Sequence, residues 1–129
     1  TPIRNARLDA IANTIGASAV LIIYTGTQPA SCAEAATGTV LATMSLPSSW
    51  MLAASSGSKS KTGTWSDTSA DASGTAGYFR IYDLLQTTCG IQGSITITGG
   101  GGDMTIDNIN IVSGQTITIT SFVLTDGNA

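Results

Sequence analysis

The residues that most often carry catalysis are scarce in this chain. It contains no histidine, which excludes a histidine-based triad and histidine-ligated zinc. Neither Cys32 nor Cys89 has a basic partner beside it, and the eight carboxylates are scattered along the sequence. Lys59 and Lys61 lack the strand and glycine loop that precede a P-loop lysine. We therefore expect no enzyme, no catalytic residue, no cofactor, no metal and no small-molecule substrate.

The run of four glycines at 99–102 is the stretch that most resembles a ligand-binding loop. A phosphate cradle needs a glycine loop that enters a helix, whereas the residues after this run alternate as a strand does. Asp103, Asp107 and Asn108 do not keep the every-second-residue spacing of a calcium loop. We predict that the glycines close a β-hairpin and that these polar side chains face solvent.

The two cysteines are too few for a disulfide framework and have no CxxC spacing. The sequence does not open with a basic and then apolar signal, so we expect a protein made and kept in a cytoplasm. Free thiols at Cys32 and Cys89 are the expectation for that compartment. A bridge formed later, outside the cell, is the alternative.

Charge is unusually sparse. Charged residues make up 10% of the chain, with a net charge of −3, against about 25% in ordinary soluble domains. Serine, threonine and glycine replace them, and such a surface repels copies of itself only weakly. The five basic residues are dispersed, which argues against nucleic acid, and no apolar run is long enough to span a membrane. The composition favours packing against neighbours.

The length of 129 residues fits a single domain over 1–129. It begins with a helical arm over 1–16 that ends at Gly16. The apolar positions of this arm recur with the helical period and share one face, which holds Leu8, Ile11, Ala12 and Ile15. The helix either covers the open end of its own core or docks on a partner.

The rest of the chain carries seven to eight short segments with the alternation and turn signals of strands. This spacing predicts a mainly β fold, an antiparallel β-sandwich with the short N-terminal helix. In segment 76–83, alternation places Phe79 and Ile81 on one face. The opposite face then holds Tyr78, Arg80 and Tyr82.

Finer predictions follow from the same alternation. Segment 50–54 is predicted as a strand, Ile95 and Ile97 are predicted to face inward, and the broken period at 107–108 predicts a bulge or bend. The last strand is predicted to hold Ile117, Ile119, Ser121 and Val123 on one face, with Phe122 on the other.

Segment 55–75 is rich in serine and glycine and reads as a long surface loop. Because a large aromatic side chain is seldom left in water, Trp65 within it indicates a loop held by contacts, including contacts to another chain. Ordering by its own packing or by crystal contacts is the alternative.

Several segments resemble a group of small virion proteins of tailed bacteriophages. The likeness lies in GTAGYFRIYD at 74–83, CGIQG at 89–93 and GQTITITSFVLT at 114–125, with NARLD at 5–9 and LIIYTGTQP at 21–29. It covers most of the chain apart from the 55–75 loop. The resemblance implies a jelly-roll-like or related β-sandwich that coats the head as a capsid cement or decoration protein, with no active site.

The prediction is therefore a structural virion protein, made in the bacterial host cytoplasm, that binds the head exterior and clamps neighbouring major capsid protein subunits. Its negative charge suits the outside of the shell, and copies are expected to associate as dimers or trimers. The predicted partner contacts are Arg4, Arg7, Lys59, Lys61, Trp65, Tyr78 and Tyr82.

Two other functions fit the sequence. One is a neck or tail connector or another tail protein. The other is a carbohydrate-binding module of a tail or fibre, in which Trp65 or the Tyr78 face stacks on sugar rings. For that tyrosine face, a cross-strand ladder on the outside of a sheet is the simpler interpretation.

Overall fold

The computed structural model describes residues 2–97, 100, 104–106 and 108–125. Within these ranges the chain forms one helix and nine strands. The elements, in chain order, are α1 Pro2–Ile15, β1 Val20–Thr25, β2 Val40–Ser45, β3 Ser58–Ser60, β4 Ser66–Asp67, β5 Gly74–Tyr82, β6 Cys89–Ile97, β7 Met104–Ile106, β8 Asn110–Ile111 and β9 Ile117–Thr125. The expectation of a mainly β protein with an N-terminal helix is confirmed.

The strands form one sheet that nearly closes on itself. Its neighbours run β2-β1-β5-β6-β7-β9-β3, and β4 also pairs with β9 while β8 pairs with β5. The two ends meet where β2 approaches the chain around β4. The Asp71 amide donates to the Leu41 carbonyl over 2.8 Å, and the Thr43 amide donates to Asp67 Oδ2 over 3.1 Å. The edge of β2 is thereby covered.

The sheet is mixed, because β6 and β7 run parallel, with Ile95 opposite Met104. The predicted antiparallel sandwich of seven to eight strands is therefore confirmed only in its β character, since the sheet is mixed and has nine strands. The hairpin predicted at 99–102 falls on a run of which only Gly100 is described; the strands on either side, β6 and β7, run parallel, whereas a hairpin joins antiparallel strands. Side-chain alternation fixes the faces of a strand but not its direction. Residues 98, 99, 101–103 and 107 lie outside the described residues, and Asn108 is exposed, as predicted.

The interior of the sheet is aromatic and aliphatic. The Trp65 ring lies 6.0 Å from the ring of Trp50 and 5.7 Å from that of Phe122, and Phe79 meets Phe122 edge to face at 5.4 Å. Phe79 and Ile81 point into this core, whereas Tyr78, Arg80 and Tyr82 lie on the outer face. The predicted faces of this strand are confirmed.

Helix α1 lies over one end of the core. Leu8 is buried, and Ala12 and Ile15 pack against the core cluster. The helix ends at Gly16, whose φ of +96° is a left-handed conformation that favours glycine. The Gly16 carbonyl accepts a 2.9 Å hydrogen bond from Trp50 Nε1. The interpretation of α1 as a helix that covers its own core is confirmed.

Segment 55–75, predicted as a long surface loop held by contacts, is held by the packing of its own chain and includes short strands of the sheet. It contributes β3, β4 and the first residues of β5. The Lys61 amide donates to the Phe122 carbonyl, and the Ile119 amide donates to the Trp65 carbonyl. These bonds to β9 draw the polar segment inward and bury Trp65. Segment 50–54, predicted as a strand, forms only a single bridge between Met51 and Lys61.

A change of register explains the errors in β9. Opposite β7, the pairing moves from Ser121 to Ile119 across one step, which is the signature of a bulge. The faces therefore change along the strand: Ile117, Ile119 and Phe122 are all buried, and Val123 is exposed. Ile97, at the end of β6, is exposed instead of inward. The predicted bulge or bend at 107–108 includes residue 107, which lies outside the described residues; β7 and β8, on either side of it, pair with different strands.

Candidate interaction surfaces

Three tyrosines and an arginine form what we call the tyrosine face, on the outside of β1 and β5: Tyr24, Tyr78, Arg80 and Tyr82. Tyr24 and Tyr78 are cross-strand partners whose rings stack at 4.9 Å. The Tyr24 and Tyr82 hydroxyls lie 3.0 Å apart. Burial, and then the hydrogen bond with Tyr82, raises the pKa of Tyr24 above its ordinary value. The interpretation of this face as a cross-strand ladder is confirmed.

Segment 26–38 lies across the tyrosine face. The Tyr78 hydroxyl donates to the Thr37 carbonyl over 2.5 Å and accepts from the Thr37 amide over 2.9 Å. Arg80 Nη2 donates to the Ser31 carbonyl over 3.2 Å. As a result Tyr78 is 0% exposed and Arg80 is 2% exposed.

The same segment is tied to β6. The Gln92 amide nitrogen donates to the Pro29 carbonyl over 2.6 Å, while Gln92 Oε1 accepts from Arg80 Nε over 3.2 Å. Cys32 and Cys89 form a disulfide across this contact. The prediction of free thiols is therefore wrong. The fold places the segment against the first residue of β6, a proximity that the distance between the cysteines in sequence does not reveal.

Burial also corrects the predicted partner contact at Tyr78. With its ring and hydroxyl enclosed, it is not available to another molecule in this structure, and it cannot stack on a sugar. Tyr82 is half-buried, and its role as a contact stays a prediction.

Lys59 is a second predicted contact that lies inside. It is 5% exposed, and its ammonium donates to Asp9 Oδ1 over 2.7 Å and to the Leu52 carbonyl over 2.8 Å. The Ala54 amide also donates to Asp9 Oδ1. The hydrogen bond from Lys59, followed by that from Ala54, lowers the pKa of the Asp9 carboxyl. Lys59 thus joins β3 to α1 instead of reaching a partner.

A cleft of about 480 Å³ opens beside this ion pair, between α1 and the chain that follows β2. Its lining residues are Asp9, Ala12, Asn13, Gly16, Ala17, Ser48, Ser49, Trp50, Met51, Ala53 and Lys59. The charged groups in its wall already pair with each other, so the polar side chains left for a ligand are those of Asn13, Ser48 and Ser49, beside an apolar part of the wall.

Of the remaining predicted contacts, Trp65 is buried, whereas Arg4, Arg7 and Lys61 keep some exposure. Trp65 is 0% exposed and donates from Nε1 to the Thr62 carbonyl over 3.1 Å, so its predicted contact with a partner is corrected to a place in the core. The Lys61 ammonium lies 5.7 Å from the Trp65 ring centre, above the same aromatic group. Arg4 is half-buried and Arg7 is exposed. For Arg4, Arg7 and Lys61 the partner role stays a prediction.

The turn between β5 and β6 presents two apolar side chains that sequence reasoning missed. Leu84 is 60% exposed and Leu85 is 78% exposed, and we call this pair the leucine tip. The Asp83 carboxylate holds the turn, because it accepts from the Thr87 amide and hydroxyl, each over 2.8 Å, and from the Thr88 amide over 3.2 Å. The Thr87 hydroxyl bond is the main cause of a lowered pKa at Asp83.

A shallow apolar groove adjoins the leucine tip, between α1 and β6. Its walls are Ala10, Ile11, Thr14, Ile15 and Gly90, and a connected hollow extends to Asp83 and Thr88 of the turn. Helix and strand approach closely here, since a Cβ on Gly90 would lie 2.5 Å from Ile15 Cγ1. The hollow thus reaches the turn that carries the leucine tip, although Leu84 and Leu85 themselves do not line it. The sequence signal for the leucine tip was the presence of two leucines in a turn, because turns usually carry polar residues.

Comparisons with known proteins identify no relative: no protein-family model, no curated protein and no solved structure matches the chain. Helix α1 is too short and too polar to cross a membrane, and the described ranges hold no other helix. Nor do three metal-ligating side chains gather anywhere in the part of the chain that the structure describes. Fold and surface together define a mainly β protein with a nearly closed mixed sheet and an exposed apolar tip.

Proposed function

We propose that this protein is a structural virion protein that binds the outer surface of a tailed-phage head and clamps neighbouring major capsid protein subunits. The observation that carries the proposal is the leucine tip beside its apolar groove. Adjacent exposed leucines on a braced turn are costly in water and are typical of a surface that another protein covers. The resemblance to small virion proteins supplies the class of partner.

The energetics of the tip suit repeated weak attachment. Burying one leucine stabilises a contact by about 1.5–3 kcal/mol, which is too little alone for a lasting complex. On a shell, however, each copy can touch more than one subunit, and linked contacts reinforce one another. With few charges on the chain, little repulsion opposes this close packing. Association as a dimer or trimer at a symmetry axis would double or triple the contact.

The disulfide is compatible with a virion location. Such bonds persist in oxidising surroundings and are rare in a reducing cytoplasm. A chain that folds in the host cytoplasm and is then carried outside in the particle meets both conditions in turn. The Cys32–Cys89 bridge would form after release.

Of the two other functions, the carbohydrate-binding module has lost its main support, since Trp65 and Tyr78 are enclosed. A neck or tail connector remains an alternative with the same apolar tip, and copy number separates it from a cement protein. A protein that coats the shell is present in many copies, whereas a connector ring at one vertex is present in few.

The test is sedimentation of the purified chain with empty heads of the phage that encodes it, followed by gel densitometry. Saturable co-sedimentation at a stoichiometry comparable to that of the major capsid protein supports the proposal. Failure to bind heads, or binding at only a few copies per particle, contradicts it.

A further inference from the structure

Segment 26–38 contributes little to the core of the protein. None of its side chains belongs to the two buried apolar clusters, although the whole segment is described. Only Pro29 and Cys32 are partly buried, and the remaining residues are exposed. Between Gly26, which packs on Gly77 at the base, and Gly38, the segment is attached to the sheet beneath through the disulfide and the hydrogen bonds with Tyr78, Arg80 and Gln92. Water can replace those hydrogen bonds.

The base of the segment is closed independently of its middle. The Thr25 amide donates to the Thr39 carbonyl over 3.0 Å, and the Thr39 amide donates to Thr25 Oγ1 over 2.9 Å. Gly26 and Gly38, at the two ends, have φ values of +85° and +82°, which mark bends where glycine is favoured. The segment can therefore lift away without separating β1 from β2.

We propose that the Cys32–Cys89 disulfide is a redox latch that holds segment 26–38 over the tyrosine face. With the bond formed, the segment encloses Tyr78 and Arg80. When the bond is reduced, the segment detaches and uncovers these two side chains while the sheet remains folded. This inference does not depend on the proposed function.

The chemistry is exchange with a dithiol reductant. A thiolate of the reductant attacks one sulfur of the bridge, the S–S bond breaks, and a mixed disulfide forms. The second thiol of the reductant then attacks the mixed disulfide and releases the protein sulfur. The reductant leaves as a cyclic disulfide. Cys32 and Cys89 together gain two electrons and two protons. Both cysteines are only half-buried, so a small reductant can reach them.

The sequence supplies a specific probe, because Glu34 is its only glutamate and lies within the segment. A protease that cleaves after glutamate is applied to the oxidised chain, to the chain treated with dithiothreitol and to the C32S/C89S variant. We expect cleavage after Glu34 to be about tenfold faster or more in the last two, because proteolysis follows the open population. An E34Q variant, in which this cut disappears, verifies the site.

Tryptophan fluorescence separates latch opening from unfolding, since Trp50 and Trp65 lie in the core on the other side of the sheet. An unchanged emission spectrum, together with faster cleavage, supports the latch. Equal cleavage rates with and without the bond overturn it. So does a shift of the emission to that of the unfolded chain on reduction, because the disulfide would then stabilise the whole fold.

Discussion

The Lys59 ammonium lies 2.7 Å from Asp9 Oδ1, and this ion pair joins two elements fifty residues apart in sequence. The lysine is almost fully buried, whereas the aspartate side chain is 37% exposed. Removal of the carboxylate would leave the ammonium enclosed, with the Leu52 carbonyl as its one remaining partner among the described residues. The pair thereby fixes α1 against β3.

We expect the D9N variant to be less stable than the original chain, because the buried charge of Lys59 loses its counterion. Adding K59M to D9N should restore part of the loss, since the variant then has no unpaired charge in this position. Urea unfolding of the single and double variants measures both effects. Equal midpoints for D9N and the original chain would contradict the expected role of the pair.

The same pair predicts a dependence on pH. The pKa of Asp9 is lowered in the folded chain, so its contribution to stability is complete above the ordinary aspartate pKa. That contribution is lost as the pH falls through the lowered value. The difference in the free energy of unfolding between the original chain and D9N should therefore shrink in acid. Asp83, which also has a lowered pKa, is unchanged in both chains and cancels from this difference.

The Tyr24 hydroxyl predicts the opposite behaviour at alkaline pH. Its pKa is raised, chiefly by burial, so the folded chain stays protonated where the unfolded chain ionises. The stability that Tyr24 contributes is complete below its unfolded pKa of 10.0 and is lost as the pH rises towards the raised value. Y24F should lose less stability on passing through this range, as measured by urea unfolding. Parallel profiles for the two chains would refute the prediction.

At the centre of the core, we expect W65A to lower the free energy of unfolding by about 3–5 kcal/mol, because it removes a fully buried ring and leaves a cavity. W65F, which keeps an aromatic group between Trp50 and Phe122, should lose less. Denaturant unfolding tests both variants. A W65A chain as stable as the original would instead favour the prediction that Trp65 contacts a partner.

The sequence was informative where local periodicity decides the outcome. The face of α1 that carries Leu8 and the faces of β5 follow from the 3.6- and 2-residue periods, and both were predicted. The parallel pairing of β6 with β7 was not predicted, because direction depends on the path of the connection. The burial of Lys59 and the disulfide of Cys32 depend on partners that lie far away in sequence. For that reason the candidate contacts predicted from residue type included several interior side chains.

A close approach of two backbones makes Gly77 a sensitive position. A Cβ there would lie 1.9 Å from the Gly26 carbonyl oxygen, so the chain must shift. We expect G77A to lower the free energy of unfolding by about 1–3 kcal/mol, a typical cost of overpacking. In G74A, the matched control, the nearest atom is the Thr25 Cγ2 methyl at 2.9 Å, which can move more easily. Thermal unfolding measures both variants, and a lower melting temperature for G74A than for G77A would contradict this account.

The leucine tip gives the prediction that bears most directly on function. We expect the L84S/L85S variant to lose binding to empty heads, because it removes the exposed apolar side chains but keeps the turn. The Asp83 hydrogen bonds are unaffected, so the free energy of unfolding should change by no more than about 0.5 kcal/mol. Co-sedimentation with heads and urea unfolding measure the two quantities on the same preparation.

The matched control for the tip is V112S, which removes a comparably exposed apolar side chain after β8. Because Val112 lies outside the turn between β5 and β6, V112S should bind heads as the original chain does. Loss of binding in both variants would indicate a general need for apolar surface. Retention of binding in L84S/L85S would show that another surface, such as the one around Arg4 and Arg7, makes the attachment.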